Sequence, residues 1–285
     1  MTLDLETWAR EGGRAQTVRD RVAHDERGRR QRERTALWLG TAGLGVAILV
    51  FWQFGLPHLV NPRYVSDPVT IAARIVELAA EGTIFTHVSV TLGEAGIGFI
   101  IGATVGFLSA FALSQTRSGY EVFEPFLIGF YSIPKIALAP LFILWFGLGT
   151  LPKVIMAALL VYFIVFVNTV TGIREVQPGL LRVCRVFGAS RRDLLLKVTM
   201  PAAAPALVAS VRITFTRAIE GALLSEFVAS TQGLGYLVSR ASRAFDIATV
   251  FAGIVIIAAV VMTANTLLRL LQNRLTPWHS GRVHG

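Results

Sequence analysis

Apolar residues in this chain fall in long blocks rather than in the one-sided spacing of elements that cover an aqueous core. Six stretches, 36–56, 84–113, 125–148, 151–173, 205–228 and 247–271, are long enough to cross roughly 30 Å of hydrocarbon as helices. The ten-residue alternation of a membrane barrel is absent, so the spanning elements are predicted to be helical. Segment 61–81 mixes proline with a run, 69–80, whose apolar residues recur at helical spacing, which predicts an amphipathic helix on the membrane surface. A second excursion, 230–246, has Gly233 and Gly235 as turn points.

Two spans carry unusual patterns. Gly98, Gly102, Gly106 and Ala110 recur every four residues, a small-residue stripe that lets another backbone come close and predicts a buried helix. Pro134 and Pro140 interrupt the third span. They remove backbone donors and predict a bent or broken helix lining a path.

Composition agrees with a membrane protein. Of 285 residues, 53% are hydrophobic and 16% charged, well below the roughly 25% charged residues of soluble domains. The formal net charge of +9 would suggest nucleic acid on a soluble protein, but nine arginines before the first span share that arm with seven acids. A solvated arm touching anionic lipid heads is the expectation, and no nucleic-acid partner. Arginines and lysines concentrate in the arm, in the 174–205 loop and in the tail, which predicts both termini in the cytoplasm. One cysteine, Cys184, excludes an internal disulfide, the five histidines show no metal-ligand spacing, and no phosphate-binding GxxxxGK[ST] loop occurs. The chain is expected to bind no cofactor or metal and to have no catalytic residues.

Ionisable residues within the spans are Glu94, Lys135, Arg212, Arg217, Glu220 and Glu226. Each is costly in hydrocarbon and must face protein, a partner charge or water. Arg212, Thr216 and Glu220 share a helical face, and Arg217 reaches Glu220 at i, i+3. Two readings fit: a solute path in which arginine attracts an anion, or an interhelical ion-pair cluster.

The loop after the fourth span holds the most specific pattern. A helical stretch, 179–187, is predicted to stop at Gly188, and Ser190 to open a second helix with Asp193 reaching back as a capping box. The apolar run Leu194, Leu195 and Leu196 follows, and Pro201 is expected to close the element before Pro205 starts the next span. Such short helices need a surface to dock on. Gly188-Ala189-Ser190, with Met200-Pro201 and Pro205 downstream, resembles the coupling loop of ABC-importer permeases. Ile133-Pro134-Lys135, Trp145-Phe146-Gly147, Asn168-Thr169 and Glu226 with Gly233-Leu234-Gly235-Tyr236 are similar to the nitrate, sulfonate and taurine group of that family. One departure stands out: Arg182-Val183-Cys184 occupies the place of the family's Glu-Ala-Ala.

The resemblance implies an all-α membrane protein with the six transmembrane helices of the type I ABC-importer permease fold. Its parts would be a cytoplasmic arm (1–35), a first span with outer segment (36–83), a core containing the coupling loop (84–272) and a cytoplasmic tail (273–285). It implies residence in a bacterial inner membrane, a second permease copy, a periplasmic or lipid-anchored solute-binding protein, and ABC ATPase subunits that use ATP and Mg. Gly188, Ala189, Ser190, Asp193, Leu194, Leu195 and Pro201 would dock the ATPase. Glu94, Lys135, Arg212, Arg217 and Glu220 are candidates for the path, and Glu226, Tyr236, Arg240 and Arg243 for the outer gate and receptor contact. The alternative is a self-sufficient secondary transporter, which leaves the 174–205 loop unexplained.

Overall fold

The computed structural model describes residues 35–61, 64–114 and 117–275, and among them every regular element is helical. The predicted arm and tail, apart from Thr35 and 273–275, lie outside the described residues. The chain divides into two compact units at Val69 and Thr70.

In the first unit, α1 (Thr35–Gly55) is apolar enough to span a membrane and has no buried residue. Its last turn, Phe51–Gly55, is a widened π turn. There Trp52 Nε1 donates to the Ser66 carbonyl at 2.9 Å, Gln53 Nε2 to Asp67 Oδ1 at 3.1 Å, and the Val69 amide back to Gln53 Oε1 at 3.2 Å. These bonds fold the following segment onto the helix end.

The second unit contains α2 (Pro68–Ala80, from Thr70), α3 (Thr83–Ser114), α4 (Arg117–Ser132), α5 (Ala139–Phe146), α6 (Thr150–Arg174), α7 (Pro178–Val186), α8 (Met200–Val228), α9 (Leu234–Arg243) and α10 (Ile247–Leu275). The amphipathic run forms α2 and buries Ile71 and Leu78. Arg74 Nε donates to Thr249 Oγ1 at 2.7 Å, tying α2 to the start of α10, where Asp246 also accepts the Thr249 amide at 3.1 Å.

At the centre lies α6. On one side, the stripe of α3 presses against it so closely that a Cβ at Gly98 would stand 2.5 Å from Ala157 Cβ, and one at Gly106 2.7 Å from the Tyr162 carbonyl. A Cβ at Gly102 would drive into the Ala158 carbonyl. On the other side, Gly221 of α8 meets Ala157 the same way, where a Cβ would be 2.7 Å from Cα. The predicted burial of α3 is confined to the face with the stripe, and Ile97, Ile100, Ile101, Val105 and Leu108 on its other side are exposed. That apolar face suits lipid, because no aqueous surface would tolerate it at this size.

The third span is broken, and its prolines act differently. Pro134 is extended and ends the helical path at Ser132, after which a short 3₁₀ turn, Lys135–Leu138, leads into α5 at 81° to α4. Pro140 interrupts nothing. It sits in the first turn of α5, where a missing amide leaves no bond unmade. Four helices among the described residues, α1, α3, α6 and α10, are long and apolar enough to span, and the α4–α5 pair makes up to five.

The close contact between α3 and α6 yields a test. Gly102→Ala is expected to destabilise the purified protein by about 1–3 kcal/mol, because the carbonyl it strikes belongs to a packed helix. Gly93→Ala in the same helix, where a Cβ meets nothing within 4 Å, is expected to be neutral or stabilising. Thermal unfolding of both variants in one detergent checks this.

Candidate functional site

Two constellations of the predicted residues take shape. The first lies between α7 and α8. Helix α7 ends in a Schellman turn: Gly188 adopts φ +81°, its amide donates to the Arg185 carbonyl at 3.0 Å, and the Ala189 amide donates to the Cys184 carbonyl at 3.0 Å. Two residues on, Ser190 Oγ accepts the Asp193 amide at 3.1 Å. The Asp193 carboxylate accepts the Ser190 amide at 3.3 Å and its hydroxyl at 2.5 Å, completing a capping box. Lys197 pairs with the same carboxylate at 2.6 Å. With Ser190, it holds the Asp193 carboxyl down at about 2. Leu194 is buried and Leu195 half-buried.

Just before these turns the α7 end is bare. Val186 and Phe187 are each 85% exposed, with Val183 and Leu180 beside them. Arg182 is exposed too, and Cys184 is half-buried.

Pro201 does not close the element, contrary to the sequence expectation. Helical backbone continues from Arg191 through a π segment, Leu194–Thr199, directly into α8. The widened turn carries the Met200 amide to the Leu195 carbonyl, five residues back, so Pro201 enters in a first-turn position where its missing donor leaves no gap. Pro201 therefore lies along the continuous helix rather than at a boundary.

The second constellation joins α3, α6, α8 and α9. His87, Thr91 and Glu94 lie on one face of α3, and Glu94 continues the small-residue stripe one turn before Gly98. Lys153, in the first turn of α6, donates to Glu94 Oε1 at 2.6 Å. Both residues are under 5% exposed. Glu226, near the end of α8 and 1% exposed, accepts the Thr91 hydroxyl on Oε1 at 2.7 Å and the Gly235 amide on Oε2 at 2.6 Å. The Leu234 amide donates to Thr91 Oγ1 at 2.9 Å and the Gly233 amide to His87 Nδ1 at 3.0 Å.

Three amides at the start of α9 are thus received by three side chains from other elements. Helix starts leave such donors open, and here they are satisfied without water. Gly233 has φ +112°, and the Glu226 carboxylate fills the place of its absent Cβ, so no other residue fits. Among the described residues, Glu94 Oε2 is buried with no hydrogen-bond partner.

This geometry revises several expectations. Glu94, a path candidate, is buried and paired. Glu226, a candidate for receptor contact, is covered, because its carboxylate is enclosed by the loop it holds. Lys153, at the edge of the fourth apolar stretch, is buried.

Of the remaining candidates, Arg217 pairs with Glu220 at 2.6 Å on a half-exposed face of α8, while the Arg212 side chain lies outside the described residues. Thr216 Oγ1 donates to Asn265 of α10 at 3.0 Å. Lys135 Nζ lies 4.3 Å from the Tyr131 ring centroid and 5.6 Å from that of Phe163. Those two rings line a cavity of about 400 Å³ between α4 and α6, together with Glu124, Phe166 and Asn168. Arg240 and Arg243 are exposed on α9, and Tyr236 packs against His87 at 5.9 Å between ring centroids.

A helical membrane bundle with a capped, apolar-tipped loop between two of its long helices has the form of a transport permease. The chain belongs to the family described as binding-protein-dependent transport system inner membrane component, which residues 83–280 match. It is 32% identical to a putative aliphatic sulfonates transport permease protein of Bacillus subtilis, over 85% of this chain and 88% of that one. It is 33% identical to a riboflavin transport system permease protein of Chloroflexus aurantiacus (82% and 87% covered), and 27% to the taurine transport system permease protein of Escherichia coli (85% and 90%). Its fold is like that of the MetNI methionine ABC transporter in an inward-facing conformation, with TM-score 0.54, 20% identity and coverage of 68% of this chain and 93% of that one. A second likeness is to an amino acid ABC transporter, with TM-score 0.55, 18% identity and coverage of 70% and 97%. The protein is therefore a multi-pass ABC permease component, as the sequence resemblance implied.

Two experiments probe the constellations. Lys153→Met is expected to cost about 3–5 kcal/mol by leaving a buried carboxylate unpaired, and adding Glu94→Gln to recover most of it, read as thermal stability. Because the folded Asp193 carboxyl lies below its ordinary value, its contribution to the capped turn is complete above about pH 4 and is lost as pH falls through about 2. Amide exchange at Asp193, corrected for its intrinsic rate, is expected to follow that window and to lose this dependence in Asp193→Asn.

Proposed function

We propose that this chain is the permease subunit of an ATP-driven importer, with six spans and both termini in the cytoplasm. The span to be added to the other five is α8, fifth in chain order, whose Arg212, Arg217, Glu220 and Glu226 give it more ionisable residues than they have. It pairs with a second copy in the bacterial inner membrane, and a separate ATPase uses ATP and Mg. A solute-binding protein outside delivers a small anion of the sulfonate, taurine or nitrate kind. This reading is supported by the sulfonate and taurine permeases among the relatives.

The observation that carries the proposal is the exposed Val186–Phe187 tip, set directly before two rigid turns, the Schellman turn at Gly188 and the capping box at Ser190. The backbone that carries its apolar side chains is fixed by local hydrogen bonds, so a partner surface gains their burial with little backbone-ordering cost. A self-sufficient secondary transporter gives that tip no purpose. Motion of the ATPase enters here and passes to the spans as a shift between inward-open and outward-open states.

Arg217 and Glu220, with Arg212, form the polar side of the path, and Lys135 beside the aromatic cavity offers a positive charge to a passing anion. Tyr236, Arg240 and Arg243 on α9 meet the solute receptor near the outer gate.

Phe187→Asp, with Val186→Asp, is expected to lose at least tenfold of the ATPase that copurifies with the permease, while the permease alone keeps its thermal stability. An ATPase that stays attached and coupled in this variant would overturn the docking assignment. Ligand screening of the partner solute-binding protein identifies the solute.

A further inference from the structure

The Glu94, Lys153 and Glu226 cluster holds more negative charge than its partners answer. Both Glu226 oxygens accept hydrogen bonds, from the Thr91 hydroxyl and the Gly235 amide. Glu94 Oε1 accepts from Lys153, and Glu94 Oε2, buried, accepts from nothing among the described residues. The two carboxyl groups adjoin.

If both were ionised, the cluster would carry one uncompensated negative charge away from water. Such a charge is expensive, and two like charges side by side make it more so. A proton on Glu94 Oε2 removes the net charge, partners the orphan oxygen and donates a charge-assisted bond to Glu226.

The other groups facing the pair do not supply that charge. On α3, His87 receives the Gly233 amide on Nδ1, which requires an uncharged ring. On α9, Tyr236 packs on His87, and Arg240 acts on His87 from an exposed position. On α6, Lys153 is already paired with Glu94. Helix α10 brings no ionisable residue before Arg269, and Asp246 ahead of it answers Arg74 and Thr249.

We propose that Glu94 and Glu226 bind one exchangeable proton between them, a proton site built into the end of the bundle where α9 is fastened. Of the amides that hold α9 in place, that of Gly235 ends on Glu226 and that of Leu234 on its donor Thr91, so lifting α9 strips the pair of the Gly235 donor, releases Thr91 from the Leu234 amide and admits water. The proton then leaves with the change of shape. This site belongs to the bundle and does not depend on which solute is carried.

Infrared spectroscopy of the purified permease in lipid nanodiscs, in light and heavy water, tests it. At neutral pH the wild type is expected to show the carbonyl band of one buried carboxylic acid per chain, shifted in heavy water. Loss of that band is expected in Glu226→Gln, which leaves Glu94 as a single carboxylate paired with Lys153, and in Glu94→Gln, which leaves Glu226 held by the Thr91 hydroxyl and the Gly235 amide with no like charge beside it. His87→Gln is expected to retain it. Should Glu94→Gln fail to assemble, the comparison of wild type with Glu226→Gln decides. No such band in the wild type at neutral pH, or one unaffected by both glutamate substitutions, would overturn the proposal. Disappearance of the band on adding sodium chloride at fixed pH would place a metal cation there instead and also overturn it.

Discussion

Close approach of two backbones underlies the rest of this structure. Between α3 and α6 the separation is set by Gly98, Gly102 and Gly106, and side chains at those positions would have to pass through α6 itself. In hydrocarbon no hydrophobic force draws helices together, so packing at this range and the polar bonds it permits must hold the bundle. Glu94 continues the same stripe. Because the backbones are already close at Gly98, a carboxylate one turn earlier reaches Lys153 in the first turn of α6 with no room for water between them. The small residues therefore make the buried charges possible as well as the packing.

Those charges in turn position an element with little apolar surface of its own. Helix α9 is ten residues long, and its apolar face buries Leu234, Leu237, Val238 and Ala241. Its start is fixed by His87, Thr91 and Glu226, each from a longer helix. A short helix is marginal alone. Here its open amides are the attachment points, which makes its position responsive to anything that alters those three side chains.

Much of the architecture was legible in the sequence, because each legible feature was local. The apolar blocks gave the long helices, the four-residue spacing of glycines gave the packed face of α3, and Ser190 with Asp193 gave the capping box. The failures were of two physical kinds. Pro201 was read as a stop because proline disrupts an α-helix, but a π turn moves the backbone bonds so that it does not. Lys153 does not stand out in the sequence because it lies at the edge of an apolar run, and nothing nearby in sequence announces a partner 59 residues away. A signal did exist: His87, Thr91 and Glu94 line one face of an otherwise apolar helix, and a polar face that deep calls for a cation on a neighbour. Glu226 looked accessible from its position near a helix end, and only the return of the loop over it shows otherwise.

The unbroken helical backbone from Arg191 to Val228 has a mechanical consequence. At 1.5 Å per residue it is a shaft roughly 55 Å long, with the Ser190 turn at its foot and Glu226 near its tip. Tilting such a shaft by about 5° about its foot swings the tip by roughly 5 Å, more than the length of any hydrogen bond gathered there. Distant ends of the molecule are thus geared together by a single piece of backbone, with no relay of intermediate contacts needed.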